Sequence, residues 1–240
     1  MVGLTRDTFF EGRLIVFQPR EGYRFSIDAV LLAAAVKPQP GQSILELGTG
    51  CGIISLILAL RYPDIHVSAI EIQSDLASAA ARNVSENNMG DRIVVFHNDL
   101  RKLPDNRVAG PFDWVVSNPP FRRQASGRVN PNHQRALARH EIEVTMEQLL
   151  ACADRMLRTG GQFRTIYPAD RAVDIIERMR DSAIEPKCIR TVHSQYDQDA
   201  KLIMVHGIKG GGPGLRIAAP LIVYGPDGSY SEAVRTMMKP

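Results

Sequence analysis

The stretch that most limits how this chain can fold is Ser43-Ile44-Leu45-Glu46-Leu47-Gly48-Thr49-Gly50-Cys51-Gly52, followed by the apolar run from Ile53. The first five residues read as a buried strand, and Ile53 to Arg61 reads as a helix ended by Pro63. Glycines at alternate positions allow the backbone to turn sharply between the two and to come close to a ligand. The free N–H groups of the helix start face that turn. The same alternation continues downstream. Strands are expected at Ile65–Ile70, Ile93–Phe96, Phe112–Ser117 and Gln162–Tyr167. Helices are expected at Asp75–Asn88, Val144–Leu157 and Pro168–Ser182. Strands separated by helices predict a doubly wound α/β sheet, mostly parallel. Lys187–Ser194 and Lys201–Gly207 are joined by a turn too short for a crossover, so they pair antiparallel.

Acidic residues decide which ligand suits the turn. A dinucleotide fingerprint begun at Gly48 needs glycine where the chain has Ile53. Glu46 precedes the glycines, which disfavours a pyrophosphate and favours a ligand carrying an ammonium group. Glu71 ends the next strand, where a carboxylate can bind both hydroxyls of a ribose. Asp99 follows the third strand, placed to accept from an adenine amino group. Gly48, Gly50, Gly52, Glu46, Glu71 and Asp99 together describe a pocket for S-adenosylmethionine, with Ile72 and Leu100 carried beside the two later acids. A dinucleotide domain and an empty nucleotide fold are the alternatives.

Asn118-Pro119-Pro120-Phe121 stands at the end of the fourth of these strands. The Asn118 amide oxygen can accept from a planar amino group. Pro119 has no N–H to lose from a ladder, so its carbonyl is free to face a cleft. Phe121 can stack on a flat substrate, worth about 1–3 kcal/mol for a base.

With these motifs the chain resembles the class I S-adenosylmethionine-dependent methyltransferases over at least Ser43 to Gly207. The resemblance implies a Rossmann-like, seven-stranded, mostly parallel sheet with an antiparallel C-terminal hairpin. Asn118 to Phe121 is similar to the N-P-P-[FY] signature of enzymes that methylate adenine N6, guanine N2 or a glutamine amide. The flanks Gln18-Pro19, Gly22 to Ser26, Asp28 and Leu31-Leu32, and Tyr224 to Gly228 with Tyr230 to Ala233, resemble bacterial tRNA (adenine-N6)-methyltransferases that act beside the anticodon. Adenine in tRNA is therefore the expected substrate. The alternatives are guanine N2 in rRNA, a protein glutamine, or, from a different class, a non-catalytic RNA-binding protein that keeps the fold. Arg24 and Asp28, ahead of the buried helix Ile27–Val36, are expected to help close the donor pocket. Ser26 is expected to cap that helix.

Charge and composition support a polyanion partner without requiring one. The net charge of +3 is modest, but Arg122, Arg123, Arg128, Arg135 and Arg139 fall in one acid-free stretch beside the proposed site. That stretch reads as a loop that meets RNA phosphates. Lys209, at the start of the glycine-rich link Gly210 to Gly214, is a further candidate RNA contact. Three scattered cysteines give neither a disulfide framework nor a metal site. No apolar run reaches the length of a membrane span, and a cytoplasmic protein is expected. The chain reads as one domain: an extension over residues 1–41 above the cofactor site, a core over 42–208 and an addition over 209–240. Monomer and homodimer both remain open.

Overall fold

The computed structural model describes residues 3–21, 24–119 and 144–239. A hairpin opens the chain, β1 (Leu4–Phe9) with β2 (Leu14–Pro19). Helix α1 (Ile27–Ala35) follows. Then come β3 (Ser43–Leu47), α2 (Ile53–Arg61), β4 (His66–Glu71), α3 (Ser74–Glu86), β5 (Ile93–His97) and β6 (Phe112–Ser117). The second half holds α4 (Met146–Met156), β7 (Leu157–Pro168), α5 (Ala172–Asp181), β8 (Ile184–His193) and β9 (Ala200–Lys209). Two short edge pieces, β10 (Arg216–Ile217) and β11 (Leu221–Ile222), precede α6 (Glu232–Met237).

The main sheet runs β10-β8-β9-β7-β6-β3-β4-β5, with β11 also paired to β8. Strands β3 to β7 are parallel where they pair, and β9 lies antiparallel between β7 and β8. This is the expected seven-stranded architecture with two short strands added in parallel at the β8 edge. Strands β3, β4 and β6 bury most of their residues because helices cover both faces of a parallel sheet. One core, including Ile44, Leu56, Trp114, Val116 and Ile166, lies on the side of α1 and α2. The other, including Leu45, Leu47, Val115, Leu150, Phe163 and Met179, lies on the side of α4 and α5.

The chain winds one way from β3 through β4 to β5, then returns to the other side of β3 for β6. In such sheets the crevice at this reversal, outside the carboxyl ends of the strands, receives ligands. Leu47 pairs with Ser117 across the two strands, and the buried Ser117 hydroxyl donates to the Leu47 carbonyl at 2.8 Å. That register sets Gly48 and Asn118 side by side at the mouth of the crevice.

Several local expectations are corrected. The sequence suggests a short strand pair over Phe9 to Arg20; the hairpin instead starts at Leu4. Ser26 occupies the N-cap position of α1 but makes no bond to the helix N–H groups; its hydroxyl donates to Asp28 Oδ2 at 2.9 Å instead. The left-handed residue after α3 is Asn88, with φ 53°. Gly160 and Gly161, a pair that by sequence reads as the stop of the expected helix Val144–Leu157, do not cap α4. They lie inside β7, which starts at Leu157 directly after the helix. A Cβ at Gly161 would stand 2.8 Å from the Arg158 carbonyl and 3.2 Å from that of Phe112, so glycine there permits the close approach of β6 and β7. The expected helix Pro168–Ser182 begins only at Ala172, because Pro168 still pairs with Leu202 and a tight turn over Ala169–Arg171 intervenes. The link after β9 is tied down: Lys187 Nζ donates to the Gly212 carbonyl at 3.0 Å and to that of Pro213 at 3.3 Å. Lys209 turns inward, paired with Asp154 at 3.1 Å and donating to the Leu157 carbonyl at 3.1 Å. It is a structural cation.

Candidate active site

The crevice is a cleft holding about 770 Å³ of space, its open mouth included. That falls within the range of small-molecule sites. Gly48, Gly50, Glu71, Ile72, Leu100, Asn118 and Pro119 line it, all sequence-predicted.

The turn after β3 is held from below and from the side. The Gly48 and Thr49 N–H groups both donate to the Ile70 carbonyl at 2.9 Å. Gly48, Gly50 and Gly52 all have positive φ. At Gly52 space is tight as well: a Cβ would stand 3.3 Å from the Ala80 Cβ. The buried Glu71 carboxylate ties the turn to the end of β4. Its Oε2 accepts from Gly50 N at 2.8 Å and its Oε1 from Gln73 N at 2.9 Å. A carboxylate has about four acceptor positions, so Glu71 keeps capacity toward the cleft it lines.

Glu46 is placed differently from expectation. It does not line the cleft but lies beneath the turn, 1% exposed. Its Oε2 accepts from Ser55 N at 3.0 Å and from the Ser55 hydroxyl. The Thr49 hydroxyl lies close enough to pull on this carboxylate, but neither it nor Oε1 has a partner in hydrogen-bond geometry among the described residues. Burial pushes the Glu46 carboxyl up to about 7, against the pull of Ser55. It is therefore poised between its two charge states near neutral pH.

Asp99 is also set apart from expectation. Both its oxygens accept from the Arg101 guanidinium, at 2.6 to 2.9 Å, and Oδ1 accepts from Arg101 N at 2.9 Å. These hydrogen bonds hold its carboxyl below the usual range. Asp99 is not among the lining residues; its neighbours Asn98 and Leu100 are. Asn98, which the sequence reading missed, is fixed by its Nδ2 donating to Asp105 Oδ2 at 2.7 Å.

Arg24 and Asp28 stand outside the lining too. Arg24 binds back onto the first hairpin, with Nη2 3.0 Å from Asp7 Oδ2 and Nη1 2.8 Å from the Thr5 hydroxyl. Asp28 is half-buried, which raises its carboxyl pKa. Tyr23, Pro120, Phe121, Arg122, Arg123, Arg128, His133, Arg135, Arg139 and His140 lie outside the described residues. Among the described residues no group of His, Cys, Asp and Glu is arranged to hold a metal, and no helix is long and apolar enough to cross a membrane.

A second missed feature joins the hairpin to the glycine turn. Asn83 on α3 is fully buried. Its Oδ1 accepts from Phe17 N at 2.6 Å, and its Nδ2 donates to the carbonyls of Phe17 at 2.9 Å and Cys51 at 2.8 Å. One turn later Asn87 makes the same two-way pairing with Ile15, at 2.9 and 2.7 Å. Asn83 and Asn87 share one face of the helix, which was the one signal available.

The family model for the methyltransferase small domain matches residues 24–182, spanning the glycine turn, both strand-end acids and Asn118. The chain belongs to this family. Class I methyltransferases share the observed sheet, and this chain is one of them. It is 30% identical over 217 residues to the tRNA1(Val) (adenine(37)-N6)-methyltransferase of Pedobacter heparinus, covering 90% of this chain and 89% of that one. Against the enzyme of the same name from Porphyromonas gingivalis it is 36% identical over 175 residues, 70% of this chain and 68% of that one. A solved Agrobacterium tumefaciens protein, titled a predicted O-methyltransferase, superposes with a TM-score of 0.72 at 24% identity, covering 88% and 94% of the two chains. Geranyl diphosphate C-methyltransferase from Streptomyces coelicolor A3(2), solved with S-adenosyl-L-homocysteine, gives 0.55 at 13% identity over 75% and 76%. At these identities the two structures speak for the fold.

Proposed function

We propose that this methyltransferase, acting in the cytoplasm, uses S-adenosylmethionine to methylate the exocyclic amino nitrogen of adenine in tRNA, beside the anticodon. The observation that carries the reading is the side-by-side placement of Asn118-Pro119 and the glycine turn at one cleft. The names of the relatives favour adenine and tRNA over the guanine and glutamine alternatives.

The cleft suits such a donor. Gly48 and Gly50 offer close backbone approach, Glu71 has spare acceptors for a ribose, and Ile72, Asn98 and Leu100 make a slot for a purine. Bound there, S-adenosylmethionine supplies an electrophilic methyl group on a sulfonium. Glu46, beneath the turn, adds negative charge on the side of a cationic ligand when it ionises. Asp99 caps the turn Leu100–Lys102, held by Arg101, and acts by fixing that segment.

The adenine amino nitrogen is a weak nucleophile because its lone pair is delocalised into the ring. Asn118 Oδ1 and the Pro119 carbonyl are two acceptors for its two N–H groups. Accepting both steers the nitrogen toward tetrahedral geometry and aims its lone pair across the cleft. The nitrogen gains the methyl and loses one proton to solvent afterwards, so no strong base is required. Positioning supplies most of the acceleration. Phe121 stacks on the base, which must leave its own stack to reach the cleft. The arginines from Arg122 to Arg139 meet the phosphates around it.

The test is methylation of tRNA from a strain lacking this gene, read as nucleosides by mass spectrometry. The expected product is N6-methyladenosine. Methylated guanine, or methyl transfer to protein only, would overturn the substrate. Asn118→Ala should retain donor binding by calorimetry and lose at least about a hundredfold in kcat; near-normal turnover would refute the role given to Asn118.

A further inference from the structure

A row of side chains crosses the other half of the sheet on the face of α1 and α2. Arg164 of β7 registers with His206 of β9, His206 with Cys188 of β8, and Cys188 with Arg216 of β10. Residues in direct register point to one face, and adjacent strands lie about 4.8 Å apart. The two arginines are thus separated by three strand spacings, about 14 Å, a gap that two extended arginine side chains can close. Lys187, next to Cys188, is held nearby by the Gly212 and Pro213 carbonyls.

Among the described residues no carboxylate pairs with Arg164 or Arg216 in an ion pair. Arg164 is partly buried, and its Nε is buried without a hydrogen-bond partner. Arg164 faces the Cys188 thiol and the Arg216 guanidinium, and no carboxylate is among the groups that act on it. His206 is pushed down to about 4 by burial and then by three cations, Arg164, Arg216 and Lys187. Two carboxylates on the neighbouring strands are engaged: Glu185 of β8 with Arg180 at 3.2 Å and Asp113 of β6 with Arg158 at 2.7 Å. Like charges gathered on a half-buried surface, one with an unmet N–H, are costly unless an anion completes them. Guanidinium groups match the oxygens of a phosphate in fork geometry. The row is separate from the cleft, since it lies on a sheet face and not at the strand ends. Arg164 nevertheless registers with Val116, two residues before Asn118.

We propose that Arg164, Arg216 and Lys187 form, around His206, a binding site for a phosphate group supplied by the backbone of the RNA substrate. The phosphate chemistry stands on the row itself; the RNA source rests on the function proposed above. Arg216 is exposed, so Arg216→Gln removes one arm of the site and leaves the core untouched.

Inorganic phosphate titrated into the full chain, without RNA, should shift the assigned His206 imidazole resonances saturably. Arg216→Gln should weaken that response about tenfold, the usual effect of losing one charge-assisted hydrogen bond. In binding to unmodified tRNA, Arg216→Gln should lower the salt slope by about 1. A lost phosphate response with an unchanged tRNA slope would overturn the RNA source and assign the site to a free phosphate. A His206 signal that ignores phosphate overturns the site, whatever the slope. A chain that takes up phosphate at His206 but does not methylate tRNA would sink the proposed function and leave this site standing.

Discussion

Replacing Glu46 by glutamine tests how the floor of the glycine turn is built. Burial raises the Glu46 carboxyl from 4.5 in the unfolded chain to about 7 in the folded one. The folded state therefore holds this proton more tightly than the unfolded state does. Below about pH 4.5 both states are protonated and the site contributes no pH dependence. Between about 4.5 and 7 the unfolded state ionises first, so stability falls as pH rises. Above about 7 the loss is complete. A shift of about 2.5 pKa units corresponds to roughly 3 kcal/mol. In a chain of this size 1 kcal/mol moves Tm by about 2–4 °C, so the loss between pH 4.5 and 8 amounts to about 6–12 °C from this group alone. Glu46→Gln keeps an oxygen for Ser55 N and cannot ionise. The assay is a thermal melt of both proteins at half-unit steps across that range. The variant's Tm relative to wild type should climb from pH 4.5 to 7 and then level off. A difference that stays constant over the range would refute the reasoning, whatever its sign, because glutamine's own packing cost does not depend on pH.

Two further substitutions probe the supports of the site. Asn83→Ala removes three buried hydrogen bonds and strands the polar groups of Phe17 and Cys51. It should cost about 3 kcal/mol or more in urea unfolding, and a loss under 1 kcal/mol would show that the hairpin is held by its apolar contacts. Gly52→Ala places a side chain at φ +86°, 3.3 Å from the Ala80 Cβ. It should cost about 1–3 kcal/mol and weaken donor binding; wild-type values on both counts would remove the steric argument for that glycine.

Local patterns in the chain decided the alternation of β3 through β7 with their helices. Apolar runs of strand and helix length are bounded by glycine and proline, and each signal resides within a few residues. They also placed Gly48, Glu71 and Asn118 at strand ends, hence at one edge of any parallel sheet built from them. The antiparallel pairing of β8 with β9 was legible because their connection is short. Which partner each polar group chose was not legible. Glu46 goes to Ser55, Asp99 to Arg101 and Arg24 to Asp7, and a carboxylate read only as a strand-end acid gives no sign of such a competitor. Asn83 and Phe17 are 66 residues apart and become neighbours only when α3 docks on the hairpin. Gly160 and Gly161 look like a helix stop, but Gly161 answers to β6, a different strand, and Gly160 to its own φ of +75°. The row from Arg164 to Arg216 is made from four strands, and only register brings it together. Periodicity reports the local demand for burial; hydrogen bonds and charge clusters are settled by which segments the packed sheet makes adjacent.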